Sequence, residues 1–169
     1  MKKHAMVLIM LLLAAGCAHQ NQSVAILRQV GGEQLILGEV EYREILRHFP
    51  AWKEEDRRSE ANPALVERVR QINEPLEVLC YFGSWCGDSR EALPIFMKTL
   101  NAAQNQRITV KLIGVDRKKD DPGHTAKPYG IELVPTFILF RNGEEIGRMI
   151  EFPMKENFVE DLLDILQAP

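Results

Sequence analysis

Cysteine is scarce in this chain. Its 169 residues carry three, Cys17, Cys80 and Cys86, too few for the disulfide framework of a small secreted scaffold. Charge of one sign is lacking too: 21 Lys and Arg against 24 Asp and Glu leave a formal net charge of −3 at pH 7. No dense basic patch stands beside aromatic residues, so nucleic acid is not an expected partner. Histidines at ligand spacing are missing, since His48 and His124 stand alone. Asp116, Asp120 and Asp121 lack the regular spacing of a calcium loop. Met149 and Met154 read as packing residues rather than copper ligands. Neither a metal nor another cofactor is expected. Internal repeats and low-complexity segments are absent as well. The composition is otherwise ordinary for a globular protein, 46% hydrophobic and 27% charged, and the length suits one domain with a short leader and a modest extension.

What is present begins at the N-terminus. Lys2 and Lys3 precede an uninterrupted apolar run over residues 5–15, and small residues then lead to Cys17. Charge, length and end chemistry are those of a secretory signal peptide, and the run is short for a membrane span. The competing reading, a buried N-terminal helix, sits poorly with the paired lysines and the polar stretch that follows. Leu13-Ala14-Ala15-Gly16-Cys17 resembles the bacterial lipobox. That resemblance implies removal of residues 1–16, diacylation of Cys17 and attachment to a membrane of the cell envelope, facing the periplasm or exterior. Acyl chains contribute roughly 0.8 kcal/mol per buried methylene, so several chains hold durably. Ala18 does not resemble an inner-membrane retention signal, which favours the outer membrane. Residues 17–23 then read as a lipidated tether and 24–60 as an N-terminal extension.

Further along, Gly31-Gly32 marks a turn between two short strand-like pieces. Apolar residues at helical spacing (Ile45, Leu46, Phe49) predict a helix over 40–49, ended by Pro50. The charged run 53–60 reads as a solvated helix face or loop. Asn62-Pro63 suits the N-cap and first turn of a helix whose stripe is Leu65, Val66, Val69 and Ile72. Leu76–Phe82 is a short apolar run bounded by Pro75 and Gly83, which predicts a buried strand. A helix follows over about 88–103, adjusted at Pro94, then a second buried strand over 108–115 and a polar loop over 116–129. Asn142-Gly143 between 136–140 and 145–150 is a strong hairpin signal. A final amphipathic helix is predicted over about 155–166, with Phe158, Leu162, Leu163 and Leu166 on one side.

Strand, then Gly83-Ser84-Trp85-Cys86-Gly87-Asp88-Ser89, then helix is an arrangement in which a thiol gains from its position. Unpaired backbone N–H groups and the positive end of the helix dipole both favour thiolate, the species that attacks disulfides. Residues 78–89 resemble the active-site strand and turn of thioredoxin-like proteins. Val134-Pro135-Thr136 resembles the loop whose cis proline faces the active cysteine, and the hairpin and last helix follow at matching distances. The resemblance covers roughly 76–166, with 61–73 as the preceding helix, and implies a thioredoxin-like domain over 61–169. The fold it implies is α/β: a three-layer sandwich with a central mixed β-sheet, helices on both faces and the N-terminal extension.

By the same resemblance Cys86 is the attacking cysteine, Trp85 its packing neighbour, and Val134 and Pro135 part of the substrate groove. The competing reading of Pro135 is a trans proline opening an edge strand. The second cysteine of the family's C-x-x-C motif is replaced by Ser89, so the usual resolving thiol is missing from its normal place. Ser89 is left with a hydrogen-bonding role toward Cys86. Asp88 puts a carboxylate beside the thiol, which opposes thiolate formation, and its position also suits capping. Cys80 falls where thioredoxins keep a buried acid; it is either a small buried hydrophobe or a substitute resolving thiol, and the second role needs Cα atoms within about 7 Å of Cys86. Two functions follow. One is a monothiol thiol–disulfide oxidoreductase or isomerase acting on protein or small-molecule disulfides. The other is a redox-inactive binding module that holds a partner protein beside Cys86 and Pro135.

Overall fold

The computed structural model describes residues 25–167; Cys17, the expected signal peptide and the tether lie outside the described residues. Strands β1 (Ile26–Val30) and β2 (Glu33–Val40) form a hairpin. Its turn needs left-handed backbone, which Gly31 and Gly32 supply with φ of 59° and 84°. Helices α1 (Tyr42–His48) and α2 (Pro50–Arg58) follow, with Pro50 in the first turn of α2, where its missing N–H has no partner to lose. Asn62 caps α3 (Pro63–Arg70), its side chain accepting the Ala64 N–H at 2.9 Å. Then come β3 (Leu76–Phe82), α4 (Gly87–Ala103), β4 (Ile108–Gly114), β5 (Thr136–Arg141), β6 (Glu144–Ile150) and α5 (Phe158–Gln167). Helix α4 continues through the buried Pro94.

The six strands form one mixed sheet in the order β1-β2-β4-β3-β5-β6. β3 and β4 are parallel, and every other neighbouring pair is antiparallel. The described part of the extension, 25–60, is therefore continuous with the sheet: β2 pairs with β4 through Gly38↔Gly114. A Cβ at Gly114 would collide with the Ile36 carbonyl, so only glycine permits this approach.

Alternation along β3 divides the core in two. Val78, Cys80 and Phe82 join Leu112, Phe137 and Leu139 beneath the helices, which contribute Ile45, Trp52, Val69, Phe96 and Leu162. Phe137 is held between Phe96 and Phe158, with ring centroids 4.6 and 4.7 Å away. On the opposite face Leu79, Tyr81, Ile113 and Ile138 are covered by the segment over 116–134 through Ala126, Ile131 and Val134. The result is the expected α/β three-layer sandwich about a mixed sheet.

The run 53–60 falls largely in α2 as a mostly solvated helix face, one of the two forms expected of it, and the neighbouring Trp52, 1% exposed, anchors that helix against Phe82. One element differs from the sequence reading for a local reason. The last helix begins at Phe158 rather than about 155. The Asp161 carboxylate accepts the backbone N–H groups of Met154 and Lys155 at 2.7 and 2.8 Å, which holds the preceding segment in a turn.

Candidate active site

Strand β3 ends at Phe82, and the chain crosses to α4 in four residues, each held by a separate contact. The Gly83 N–H donates to Ser89 Oγ at 3.2 Å. A Cβ at Gly83 would lie 2.7 Å from the Trp85 indole, so this position requires glycine. Ser84 is fixed on both sides by the N-terminal segment: the Ile36 N–H donates to its Oγ at 3.2 Å, and the Trp52 indole N–H donates to its carbonyl at 3.0 Å. The Trp85 indole N–H donates to the Val115 carbonyl at 3.1 Å, across the end of β4. The guanidinium of Arg117 lies 4.8 Å from the Trp85 ring centre and the Lys119 ammonium 5.8 Å.

Cys86 is the N-cap residue of α4, with extended backbone (φ −90°, ψ 128°) and no side-chain cap hydrogen bond. Its N–H donates to the Gly83 carbonyl at 2.9 Å, and its carbonyl accepts the Arg90 N–H at 3.2 Å. The thiol donates to the Val134 carbonyl at 3.2 Å, with Asp88 Oδ2 at 3.9 Å. Cys86 is 9% exposed. The Val134–Pro135 peptide is cis. The Pro135 carbonyl in turn accepts the Glu151 N–H at 2.7 Å, and Thr136 Oγ1 donates to the Leu133 carbonyl at 2.8 Å. Trp85, Cys86, Val134 and Pro135 are thus brought to one end of the sheet, beside the first turn of α4.

Ser89 and Cys80 are placed differently from their neighbours in sequence. Ser89 is fully buried and its oxygen accepts the Gly83 N–H, so its hydrogen bond supports the β3–α4 turn rather than the Cys86 sulfur. Cys80 is fully buried among Val78, Phe82 and Phe137 under the helices, whereas Cys86 packs with Leu79, Tyr81 and Val134. Both thiols are free. Burial pushes the Cys80 thiol well above the ordinary range. Cys80 is therefore a small core residue rather than a substitute resolving thiol. The two sulfurs belong to opposite faces of the sheet, and a fully buried thiol is a poor source of thiolate.

Sequence reasoning missed Ser84, Trp52 and Ile36, which fix the turn before Cys86, and the Val134 carbonyl as the thiol's acceptor. The Trp52–Ser84 bond spans 32 residues and left no local signal beyond a tryptophan beside a helix-opening proline. The extension is also tied to α4 itself, because Lys98 donates to the carbonyls of Asp56 and Ser59 at the end of α2. Among the described residues no group of three or more His, Cys, Asp or Glu is arranged to hold a metal. No described helix is long and apolar enough to cross a membrane.

The family model described as Thioredoxin matches residues 60–164. The chain belongs to the thioredoxin family. It is 37% identical over 93 residues to a putative thioredoxin-5 of Dictyostelium discoideum, covering 54% of this chain and 85% of that protein. It is 30% identical over 87 residues to a thioredoxin of Alicyclobacillus acidocaldarius, covering 52% and 78%. Among solved structures, a protein of unknown function from Pseudomonas aeruginosa has a TM-score of 0.61 at 16% identity, covering 76% of this chain and 92% of that one. That likeness shows the fold alone.

Proposed function

We propose that the protein is a thiol–disulfide oxidoreductase or isomerase that works with the single cysteine Cys86, anchored in the cell envelope through a lipidated Cys17. The observation that carries the reading is the position of Cys86 at the start of α4, its sulfur 3.2 Å from the Val134 carbonyl beside the cis Pro135. The Cys86 sulfur attacks one sulfur of a substrate disulfide; a Cys86–substrate disulfide forms, the substrate S–S bond breaks, and the departing thiolate takes up the proton lost by Cys86. With Ser89 where the resolving cysteine would stand, release needs a second thiol, from the substrate or a small-molecule thiol. It attacks the mixed disulfide and returns Cys86 to its starting state. Such a cycle shuffles disulfides or removes thiol adducts.

The test is trapping. Without an internal resolving thiol, the native protein itself should hold Cys86-linked disulfides in cells, visible as species on non-reducing gels. These should vanish in Cys86→Ser and persist in Cys80→Ser. Cells yielding none, together with a purified protein that cannot turn over a glutathionylated substrate, would overturn the proposal. Anchoring is supported by the Leu13–Cys17 pattern. Its test is fatty-acid labelling and fractionation, with label and outer-membrane recovery both lost in Cys17→Ser.

One observation favours a second reading, a binding module without redox turnover: the two polar partners of the Cys86 sulfur, the Val134 carbonyl and the Asp88 carboxylate, are both acceptors. Partner capture that survives Cys86→Ser would select it.

A further inference from the structure

We infer that the groove beside Cys86 selects cationic polypeptide segments, so that the disulfides presented to it are flanked by Lys or Arg; the inference rests on Cys86 being the attacking thiol. A cavity of about 200 Å³ opens between the first turns of α4 and the segment leading into α5. Asp88, Glu91, Glu151 and Glu156 contribute to its lining, and Phe96 and Phe152 are among its apolar walls. No Lys or Arg lines it. Among the described residues none of these four carboxylates takes part in an ion pair, whereas Glu54, Glu67, Glu77 and Glu145 each do. Of the two cations adjacent to these carboxylates in sequence, Lys155 is turned away to Asp164 at 3.0 Å and Arg90 is not part of the lining.

The groove and the reactive sulfur share a wall, since Asp88 both lines the cavity and lies 3.9 Å from Cys86 Sγ. They also share a backbone link. Glu151 holds a left-handed conformation (φ 62°), and its N–H is bonded to the Pro135 carbonyl. Phe152 is 60% exposed and Met154 91%, large apolar surfaces for a soluble domain to leave open. Acid together with exposed apolar surface complements a Lys or Arg whose alkyl stem lies on Phe152 while its head reaches the carboxylates. On the other side of Cys86, Arg117 over Trp85 is paired with Glu33 at 3.0 and 3.1 Å, while Lys119, 5.8 Å from the same ring, takes part in no ion pair among the described residues, so the acidic surface is confined to the side of α4 and the segment leading into α5. The occupant is thus a basic stretch of polypeptide; an anionic small disulfide such as oxidised glutathione is disfavoured.

The experiment uses peptides alike in length and apolar content, their single cysteine activated as a 2-thiopyridyl disulfide and flanked by Lys, Gln or Glu. Attack by Cys86 joins its sulfur to the peptide sulfur, breaks the bond to the pyridyl sulfur and releases 2-thiopyridone, with no net oxidation. Each rate is divided by that for neutral 2,2′-dithiodipyridine. In the full chain the Lys peptide should react about tenfold faster than the Glu peptide at low ionic strength, the ratio shrinking severalfold in about 0.5 M salt. The ratio should fall toward one in Glu91→Gln/Glu151→Gln/Glu156→Gln and stay high in the exposed control Glu60→Gln/Glu67→Gln. Equal rates for the Lys and Glu peptides in the native protein would overturn the inference. Cysteine-to-serine forms of the peptides, carrying a dye, read binding without chemistry. A Lys preference in binding with no thiopyridone release from any disulfide defeats the redox reading and upholds the groove, whereas release without a preference does the reverse.

Discussion

The thiol of Cys86 donates to the carbonyl oxygen of Val134 across 3.2 Å, joining the start of α4 to the residue before the cis Pro135. This contact makes the two simplest replacements of Cys86 unequal. Serine keeps a donor for the buried carbonyl and alanine removes it, leaving an acceptor without a partner. Cys86→Ala should therefore be less stable than Cys86→Ser by about 1 kcal/mol in urea denaturation, with thiol exchange absent from both. Equal stability would show that the carbonyl finds another donor.

Ser89 lies three residues after Cys86, on the same side of the first turn of α4, and is fully buried. Ser89→Cys should permit an internal disulfide. After mild oxidation, the mass should fall by two hydrogens and both thiols should disappear from a thiol titration, while mixed disulfides trapped in cells become scarcer. Persistence of two free thiols would mean that the turn holds the two sulfurs apart.

Cys80 offers an internal control for reactivity. Its thiol is pushed well above the ordinary range by burial, so alkylation mapped by mass spectrometry at about pH 8.5, where ordinary thiols react, should label Cys86 and spare Cys80 until denaturant is added. Labelling of Cys80 in the native protein would reveal an opening of the core under the helices.

Trp52 reports on the N-terminal segment. Trp52→Phe keeps a ring against Phe82 but removes the donor to the Ser84 carbonyl, at a cost of roughly 1–3 kcal/mol. It should also change the rate at which Cys86 is alkylated, because Ser84 is two residues away. An unaltered rate together with lower stability would confine Trp52 to the core.

The exposed loop over 116–129 carries a pH-sensitive pair. His124 Nδ1 lies 2.9 Å from Asp120, which raises the imidazole above its ordinary value and holds the carboxylate below its own. The histidine contribution is complete below its unfolded value and is lost as pH rises through the folded one. The aspartate contribution is present above its unfolded value and is lost as pH falls through the folded one. The pair is thus intact at intermediate pH. An NMR titration should place the His124 midpoint above 6.5, and Asp120→Asn should bring it back down.

Local chemistry explains what was legible in the sequence. The buried run at β3, the Asn62-Pro63 start of α3 and the Asn142-Gly143 hairpin each depend on residues within a turn or two of one another, as did the placing of Cys86 at a helix end. The period of two also put Cys80 with Val78 and Phe82. It could not place Cys86, which lies beyond the strand, where the path of the Gly83–Trp85 turn decides the face. Ser84, Trp52 and the Val134 carbonyl were illegible for the same reason, their partners being 32 and 48 residues distant.

The family likeness begins at residue 60, yet both groups that hold Ser84 come from earlier, Ile36 and Trp52. Ancestry and mechanics therefore draw different boundaries around this molecule. A fragment cut to match its relatives would retain the Cys86 motif and lose the brace behind it, so its chemistry would describe the shared ancestor's segment better than this protein.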